Sequence, residues 1–424
     1  MDTIFALSSG APPAAIAVLR ISGPRSADAL EALAGRVPEP RVATYARLRD
    51  AQGETLDRGL VLWFPGPASA TGEDTAELHL HGGRGVVAAV EKALSQMPEL
   101  RRATPGEFTR RAFANGRIDL AEAEGLADLL EAETELQRRA ALAMAGGHLS
   151  RIAADWRERT LALSASVESA LDFSDEDDVS SMPPSFQQDC VALASEMEEW
   201  LDRPGAEKLK EGFRIAIAGP PNAGKSSLFN RLVNENAAIT SSRAGTTRDI
   251  LSAPVAIEGI PVVFVDTAGL RSQTDDEIEA EGIARAERAL AGADLVLWLG
   301  AEGEGPDGAW EIAAQCDRLG SEAKAAPRHR LSALTGEGID ALADDLIEYA
   351  RAALPKPGQV ALNQRQRELL RDATESLRQA GGEGDLLLAA ESLRRARQAF
   401  DRLLGRATTE DMLDALFGRF CIGK

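Results

Sequence analysis

The chain has 424 residues, a length that suggests two or three domains rather than a single hydrophobic core. Its 47 basic and 67 acidic residues give a net charge of −20, which excludes an overall basic field for nucleic acid, so any RNA binding must be local or shared with a partner. Three widely spaced cysteines exclude a disulfide framework, and no stretch reaches the roughly 18 apolar residues of a membrane span, so we expect a soluble, cytoplasmic protein without a membrane partner.

The first 116 residues predict an α+β domain. Short β-like runs (IAVLRIS, RGLVLWFP and AELHLHGG) alternate with glycine and proline turns, and a helix-like segment lies near residues 86–97. From residue 118 the sequence is rich in Ala, Leu and Glu, and the spacing of Asp119 and Glu122 is that of a capping box, which predicts the start of a long helix. Further helical sequence, interrupted by a polar loop, makes residues 117–208 the first segment of a helical domain.

Strands separated by helices begin at Phe213. The runs RIAIAG, VAIEGIPVVFVD, DLVLWLG and RLSAL predict an α/β domain with a parallel sheet and a hairpin turn near Gly259. After LPKPG the pattern is helical again. We therefore predict a multidomain α+β and α/β protein, in which an α/β domain at residues 209–353 is inserted into a helical domain whose second segment is 354–424. The two ends of the insertion must then lie close together.

The segment GPPNAGKS, residues 219–226, fits the pattern G-x-x-x-x-G-K-[ST] between a strand and a helix. In this motif backbone N–H groups bind phosphate oxygens, Lys225 neutralises charge and the Ser226 hydroxyl reaches Mg²⁺. AGTTRD offers Thr247 as a second magnesium ligand, and DTAG follows an apolar strand. An ordinary glycine-rich turn is the alternative for the first motif alone, but the three motifs in this order predict a P-loop GTPase domain.

The sequence also bears on how GTP would be hydrolysed. The residue after DTAG is Leu270, and an apolar side chain cannot orient the attacking water as Gln does in Ras-like GTPases. Glu279 is a candidate for that task, with one more exposed acid on a helix as the alternative. No arginine finger can be identified from the sequence, and the Asn222 carbonyl oxygen could hold a monovalent cation in its place or simply stabilise a turn.

The base-recognition segment departs from the usual Asn-Lys-x-Asp, because this chain has Ala314, Gln315, Cys316 and Asp317 there. Asp317 can accept both guanine N–H donors, so guanine selectivity should survive, but loss of the Asn amide and the Lys predicts an affinity weakened by about two- to tenfold. The predicted GTP-binding residues are Asn222, Ala223, Gly224, Lys225, Ser226, Ser227, Ser241, Ser242, Arg243, Ala244, Gly245, Thr246, Thr247, Asp266, Thr267, Ala268, Gly269, Asp317, Ser332 and Ala333.

These motifs, together with PGEFTRRAFANGRIDLAEAEGLADLL and a terminal CIGK, resemble the tRNA modification GTPase MnmE (TrmE) family along the whole chain. The resemblance implies a homodimer with an N-terminal folate-binding and dimerisation domain, a helical domain and an inserted GTPase domain activated by K⁺. It implies an enzyme that, with the flavin-containing partner MnmG (GidA), adds a carboxymethylaminomethyl or aminomethyl group to the wobble uridine of certain tRNAs. The one-carbon unit would come from a tetrahydrofolate derivative, in the 5,10-methylene or the 5-formyl form.

The resemblance also implies roles for single residues. Glu279 would orient the hydrolytic water, and Ser226 and Thr247 would bind Mg²⁺. The implied K⁺ ligands are Asn222, Ser241, Arg243 and Thr246, and the implied folate-binding residues are Arg20, Glu77, Arg117 and Lys424. Without the resemblance, the residues of the folate set would be taken for surface ion pairs.

Some interpretations stay open. His79 and His81 alternate on one strand, where packing or a contact at the rim of a site is favoured over a zinc site. Cys421, in the terminal CIGK, is a candidate nucleophile or simply packs. For the whole protein, the alternatives are a GTP-switch binding module of the ribosome-assembly type and a scaffold that hydrolyses GTP poorly. PGEFTRRAF and CIGK favour the modifying enzyme over the switch module, and turnover in K⁺ compared with Na⁺ would separate it from the scaffold.

Overall fold

The computed structural model describes residues 2–172, 184–236, 252–266, 288–318 and 324–424. The elements of the N-terminal part are β1 (Thr3–Leu7), β2 (Ile16–Ser22), α1 (Ser26–Ala34), β3 (Thr44–Arg49), β4 (Thr55–Phe64), β5 (Thr75–His81), α2 (Arg84–Ser95), β6 (Leu100–Arg102), α3 (Glu107–Ala114) and α4 (Leu120–Glu131). The elements that follow are α5 (Glu135–Ala145), α6 (His148–Asp172), α7 (Phe186–Leu201), α8 (Ala206–Glu211), β7 (Phe213–Ala218), α9 (Lys225–Asn236), β8 (Ser252–Ile257), β9 (Ile260–Asp266), β10 (Leu295–Trp298), β11 (Trp310–Ala313), β12 (His329–Arg330), α10 (Ile339–Ala353), α11 (Gln364–Gly382), α12 (Leu386–Leu403) and α13 (Glu410–Phe417). They form two compact units, Met1–Ala127 with Asp401–Lys424, and Asp128–Phe400.

The first unit is built on a six-stranded sheet in the order β3-β4-β5-β2-β1-β6, in which β1 and β6 are parallel and the other neighbours antiparallel. Alternate residues of β2 point to opposite faces. Ala17, Leu19 and Ile21 are buried with α1 and α2 on one face. Val18 and Arg20 therefore lie on the second face, where both are half-buried.

Helices α3 and α13 complete the first unit. In α3, Phe108 packs with Ile4 and Ala6 of β1. The ring centroids of Phe113 in α3 and Phe417 in α13 are 6.1 Å apart, and Phe417 is also buried against residues of α4. Residues near the C-terminus therefore share a hydrophobic cluster with α3 and α4, while Ile4 and Ala6 of β1 belong to a separate cluster with Phe108.

The second unit contains the predicted α/β domain. Its sheet has the order β12-β11-β10-β7-β9-β8, parallel except that β8 runs antiparallel to β9. The central strand β7 is covered on both faces, with Ile215 and Ile217 in one hydrophobic core and Ala216 and Ala218 in another. The predicted hairpin is confirmed, because Ile257 pairs with Ile260 across a turn in which Gly259 has φ +79°.

Helices from both sides of the α/β insertion pack together in the second unit. Trp156 of α6 is fully buried, and its ring centroid lies 5.7 Å from that of Trp200 in α7 and 6.3 Å from that of Phe400 in α12. The segments on either side of the insertion lie close together, since the Ala206 N–H donates to the Leu362 carbonyl at 3.0 Å. The boundaries predicted for the four segments stay predictions. The two compact units do not test them, because the division between the units falls within α4 and within α12.

The predicted capping box at the start of α4 is confirmed. The backbone N–H of Asp119 donates to the Glu122 carboxylate at 2.8 Å, and that of Glu122 donates to Asp119 at 2.9 Å. The prediction of one long helix from this point is wrong, because α4 ends at Glu131 and a second capping box, Thr134 with Gln137, begins α5. Within the described ranges, no helix is both long enough and apolar enough to cross a membrane.

Candidate functional site

The predicted phosphate loop connects the end of β7 to the start of α9. Gly219 and Gly224 have φ angles of +145° and +92°, and Asn222 has φ +63°, so three loop residues lie in the region that favours glycine. A Cβ on Gly219 would lie 3.0 Å from the backbone nitrogen of Gly300, so a side chain there would crowd the end of β10. The loop leads into the N-terminus of α9, where backbone N–H groups are suited to bind a phosphate.

Three predicted phosphate and metal residues lie together at the end of this loop. Lys225 is buried, and its Nζ donates to the Pro220 carbonyl at 2.6 Å. The Ser226 hydroxyl donates to Asp266 Oδ2 at 2.7 Å. Asp266 ends β9 and pairs with Ile217 of β7, so the sheet brings its carboxylate beside the loop. A hydroxyl and a carboxylate supply the hard oxygen ligands that Mg²⁺ prefers.

The predicted base-recognition segment follows β11. The Ser332 hydroxyl bonds the Asp317 carboxylate and thereby lowers the pKa of Asp317 below its usual value, so this acceptor is ionised at neutral pH. The Cys316 N–H donates to the Leu331 carbonyl at 3.2 Å, which aligns this segment with the one that carries Ser332. The structure therefore brings together two residues that the sequence assigned to the base, 15 positions apart by their numbers.

Sequence reasoning missed a contact between the two ends of the nucleotide site. Gln315 Nε2 donates to the backbone carbonyl of Asn222 at 3.1 Å, and Arg318 Nη1 donates to Gln315 Oε1 at 3.1 Å. Gln315 and Asn222 are 93 residues apart, so the sequence gives no direct sign of this contact. The departure from Asn-Lys-x-Asp was the signal that marked the segment around Gln315 as unusual.

A cleft of about 710 Å³ lies over the phosphate loop, a volume in the range of sites for small ligands. It is lined by the loop residues 219–222 and 224–227. Six further lining residues were absent from the predicted site, namely Ala218, Leu290, Trp298, Glu304, Gln315 and Arg318. Trp298 ends β10 beside β7, so the α/β order of the sheet accounts for its place.

Several predicted residues lie outside the described residues, and their assignments stay predictions. They are Ser241, Ser242, Arg243, Ala244, Gly245, Thr246, Thr247, Thr267, Ala268, Gly269 and Glu279.

The predicted folate residues lie in the first unit. Arg20 and Glu77 are cross-strand neighbours in β2 and β5, and Arg20 Nε and Nη2 donate to Glu77 Oε1 at 3.0 and 2.8 Å. The second carboxylate oxygen, Glu77 Oε2, lies 3.3 Å from His79 Nε2. Arg20 also lies over the Phe108 ring, with its guanidinium carbon 5.9 Å from the ring centroid. Side-chain exposures of 26% and 17% for Arg20 and Glu77 leave this pair accessible from the second face of the sheet.

The other two folate residues are held by the backbone around them. The Arg117 N–H donates to the Ala112 carbonyl at 2.8 Å, just after α3. The segment before Lys424 docks on the end of β1, because Ser8 Oγ donates to the Gly423 carbonyl at 2.7 Å. Among the hydrogen bonds of the described residues, none joins Arg117 or Lys424 to the Arg20–Glu77 pair.

His81 contacts a carboxylate from the neighbouring strand. Its backbone N–H and ring Nδ1 both lie 2.8 Å from the carboxylate of Asp57. Burial alone would raise the pKa of Asp57, but these hydrogen bonds outweigh burial and lower it. Cys421 is exposed, and its carbonyl accepts the Lys424 N–H at 3.2 Å.

The structural role of the PGEFT segment comes from the hydrogen bonds that Glu107 accepts. Burial alone would raise its pKa, but hydrogen bonds from Arg101, the Thr104 N–H and Arg111 lower it to about 2. Arg111 extends this network to Asp2 and Glu73. The motif therefore ties α3 to the sheet and to the N-terminal end of the chain.

Comparison with known proteins gives two family matches. The family described as "MnmE helical domain" matches residues 120–421, and "GTP-binding protein TrmE N-terminus" matches residues 3–117. The chain belongs to the MnmE family. The predicted family is thereby confirmed, and with it the GTPase class and the combination of an α+β domain, a helical domain and an α/β GTPase domain.

Curated relatives in this family match from end to end. The chain is 65% identical to the "tRNA modification GTPase MnmE" of Erythrobacter litoralis and 62% identical to that of Novosphingobium aromaticivorans, with 100% of both chains covered in each case. It is also similar to a solved structure of Methanosarcina barkeri Roco2 RocCORdC bound to GDP, at 14% identity over 46% of this chain and 68% of the other. The TM-score of that last match is 0.20, too low to support an argument.

Proposed function

We propose that the chain hydrolyses GTP in a K⁺- and Mg²⁺-dependent manner and that this hydrolysis drives modification of the wobble uridine of tRNA. The observation that carries the proposal is the contact of Ser226 with Asp266 beside the buried Lys225, in a cleft of nucleotide size, within a chain of the MnmE family. Contacts of this kind are those by which P-loop GTPases bind the terminal phosphates and the metal.

Phosphate binding follows from the groups already in place. The loop N–H groups would bind phosphate oxygens, and Lys225 would exchange the Pro220 carbonyl for a phosphate oxygen. Ser226 and Asp266 would hold Mg²⁺, directly and through water, with Thr247 as a second hydroxyl ligand. Mg²⁺ would neutralise charge on the two terminal phosphates. Glu279 would orient the attacking water, because Leu270 after DTAG cannot.

The proposed K⁺ ligand in the phosphate loop is Asn222. It is exposed in the cleft, and its side-chain carbonyl is an oxygen ligand of the type that alkali cations take. Ser241, Arg243 and Thr246 would supply further oxygens. K⁺ would then provide positive charge where other GTPases use an arginine finger.

The folate assignment is supported by the Arg20–Glu77 pair. A carboxylate fixed by an arginine is suited to accept the paired N–H donors of a pterin ring. Arg117 and Lys424 would bind the acidic tail or ring carbonyls of a 5,10-methylene or 5-formyl tetrahydrofolate. We further propose a homodimer that works in the cytoplasm on tRNA with MnmG, a flavoprotein partner, since a net charge of −20 disfavours tRNA binding by this chain alone.

The first test is GTP turnover by the full-length protein in K⁺ and in Na⁺ at equal ionic strength. We expect faster turnover in K⁺ and strong loss of turnover in Ser226→Ala. Asn230→Ala is the matched control, because Asn230 is exposed on the same helix. Equal rates in the two salts would contradict the K⁺ proposal.

The second test is deletion of the gene followed by mass spectrometry of tRNA nucleosides. The wobble modification should disappear and return with the wild-type gene but not with Ser226→Ala. Retention of the modification in a strain without a redundant enzyme would favour a GTP-switch module, as would failure of the purified protein to bind methylenetetrahydrofolate.

A further inference from the structure

Two strained residues face each other across the nucleotide cleft. Among the described residues, non-glycine residues with positive φ are Arg41, Glu99, Asn222, Glu258 and Gln315. Two of these, Asn222 at +63° and Gln315 at +59°, are joined directly by the bond from Gln315 Nε2 to the Asn222 carbonyl. Such conformations persist only where the surroundings hold them, and they concentrate at functional sites.

The Gln315 side chain is fixed at both ends of its amide. Its oxygen accepts from Arg318 Nη1, while its nitrogen donates to Asn222, each at 3.1 Å. Gly224 makes room for this crossing, because a Cβ at Gly224 would lie 3.1 Å from Gln315 Nε2. The phosphate loop is therefore shaped around this side chain.

The bond determines where one loop N–H points. The carbonyl of Asn222 and the N–H of Ala223 belong to one planar trans peptide, so they point in opposite directions. With the carbonyl turned to Gln315, the Ala223 N–H points to the Pro220 carbonyl, at 3.4 Å. The same carbonyl accepts Lys225 Nζ, so the Ala223 N–H and the lysine that would bind phosphate donate to one oxygen of the loop.

We propose that Gln315 is a positioning residue of the nucleotide site, whose amide, held by Arg318, fixes the Asn222–Ala223 peptide and thereby the conformation of the phosphate loop that would bind the phosphates. The residue in the lysine position of Asn-Lys-x-Asp thus acts on the phosphate end of the nucleotide without carrying a charge. The inference rests on the proposed function only in taking a guanine nucleotide as the ligand.

The test is displacement of a fluorescent GDP analogue from the full-length protein by GDP and by guanosine. Gln315→Met keeps the length of the side chain but removes the donor, and we expect GDP affinity to fall by about two- to tenfold while guanosine affinity is unchanged. Gln315→Lys restores a donor and should bring GDP affinity back to within about twofold of wild type. Arg318 is exposed, and Arg318→Met should lower the affinity for GDP by a smaller factor and leave the affinity for guanosine unchanged.

Three outcomes would overturn the inference. They are unchanged GDP affinity in Gln315→Met, equal losses for GDP and guanosine, and no difference between the Met and Lys variants. Melting temperatures of all variants show whether the fold is retained, and the exposed Arg318 provides the test if Gln315→Met does not fold. GDP binding is measured without K⁺, so it does not depend on the proposed activation by K⁺. A wild-type protein that binds GDP but hydrolyses GTP no faster in K⁺ would refute the proposed function and leave this inference intact.

Discussion

We predict that base selectivity in this chain depends on Asp317, because Ala314 and Gln315 replace the other two recognition residues. Asp317→Asn replaces a charged acceptor of two guanine N–H groups with an amide that can donate to the 2-oxo group of xanthine. We expect GTP affinity to fall by about 10- to 100-fold and XTP affinity to rise. Competition of GTP, XTP and ATP against a fluorescent GDP analogue measures both changes. Asp307→Asn, at an exposed acid of the same unit, should change neither; an unaltered ratio of GTP to XTP affinity in Asp317→Asn would show that Asp317 does not read the base.

Glu107 makes the stability of the first unit depend on pH. Its pKa falls from the usual 4.5 to about 2 in the folded protein. The resulting stabilisation is therefore complete above about pH 4.5 and is lost as the pH falls towards 2. We expect Glu107→Gln to lower the free energy of unfolding by about 2–3 kcal/mol at pH 7 and by much less near pH 2. Urea unfolding across this range, followed by circular dichroism, measures the difference.

Glu135 provides the matched control for this effect. Its pKa is also lowered to about 2, by Arg138 and Arg139, but the cluster lies on the exposed surface of α5. Solvent screens such pairs, so Glu135→Gln should leave the urea midpoint nearly unchanged at pH 7. If both variants lost stability equally, burial of the Glu107 network would not be the cause.

At the scale of elements, the approach of α3 to α13 depends on a glycine. Gly106 has φ +69°, and a Cβ there would lie 2.2 Å from the Phe417 carbonyl oxygen. Gly116 has nearly the same φ, +66°, with no atom within 4 Å of a Cβ. Both Gly→Ala variants should lose about 1 kcal/mol from backbone strain, and Gly106→Ala should lose about 2 kcal/mol or more beyond that, because α13 must move. Equal thermal midpoints for the two variants would contradict a role for this contact.

The elements were largely predictable because their signals are local. The Asp119–Glu122 cap and the hairpin at Gly259 both follow from residues a few positions apart. The break before α5 was missed, although Thr134 and Gln137 have the spacing of a cap. Contacts within the sites were not predictable in the same way, because the bond from Gln315 to Asn222 joins residues 93 positions apart and depends on the strand order of the sheet.

At the scale of the whole molecule, the inserted α/β domain separates two helical segments that must still fold together. The hydrophobic core around β7 contains no residue of α11 or α12 among those described. Trp156, by contrast, packs with Phe400 from the far side of the insertion. The core beneath the nucleotide site does include Leu136 and Ala140 of α5, but it has no described residue in common with the Trp156–Phe400 contact, so a cavity at Phe400 need not disturb it.

Phe400→Ala tests this separation. Truncating a fully buried Phe typically costs about 3–5 kcal/mol, so we expect a lower urea midpoint and a red shift of tryptophan fluorescence as Trp156 gains access to water. Leu388→Ala is the control on the same helix, since Leu388 is 53% exposed and should shift the midpoint little. In urea-free buffer, GDP affinity should match wild type in both variants, because the phosphate loop is supported by the other core. A loss of GDP affinity in Phe400→Ala that parallels its loss of stability would mean that the helices and the nucleotide site unfold as one cooperative unit.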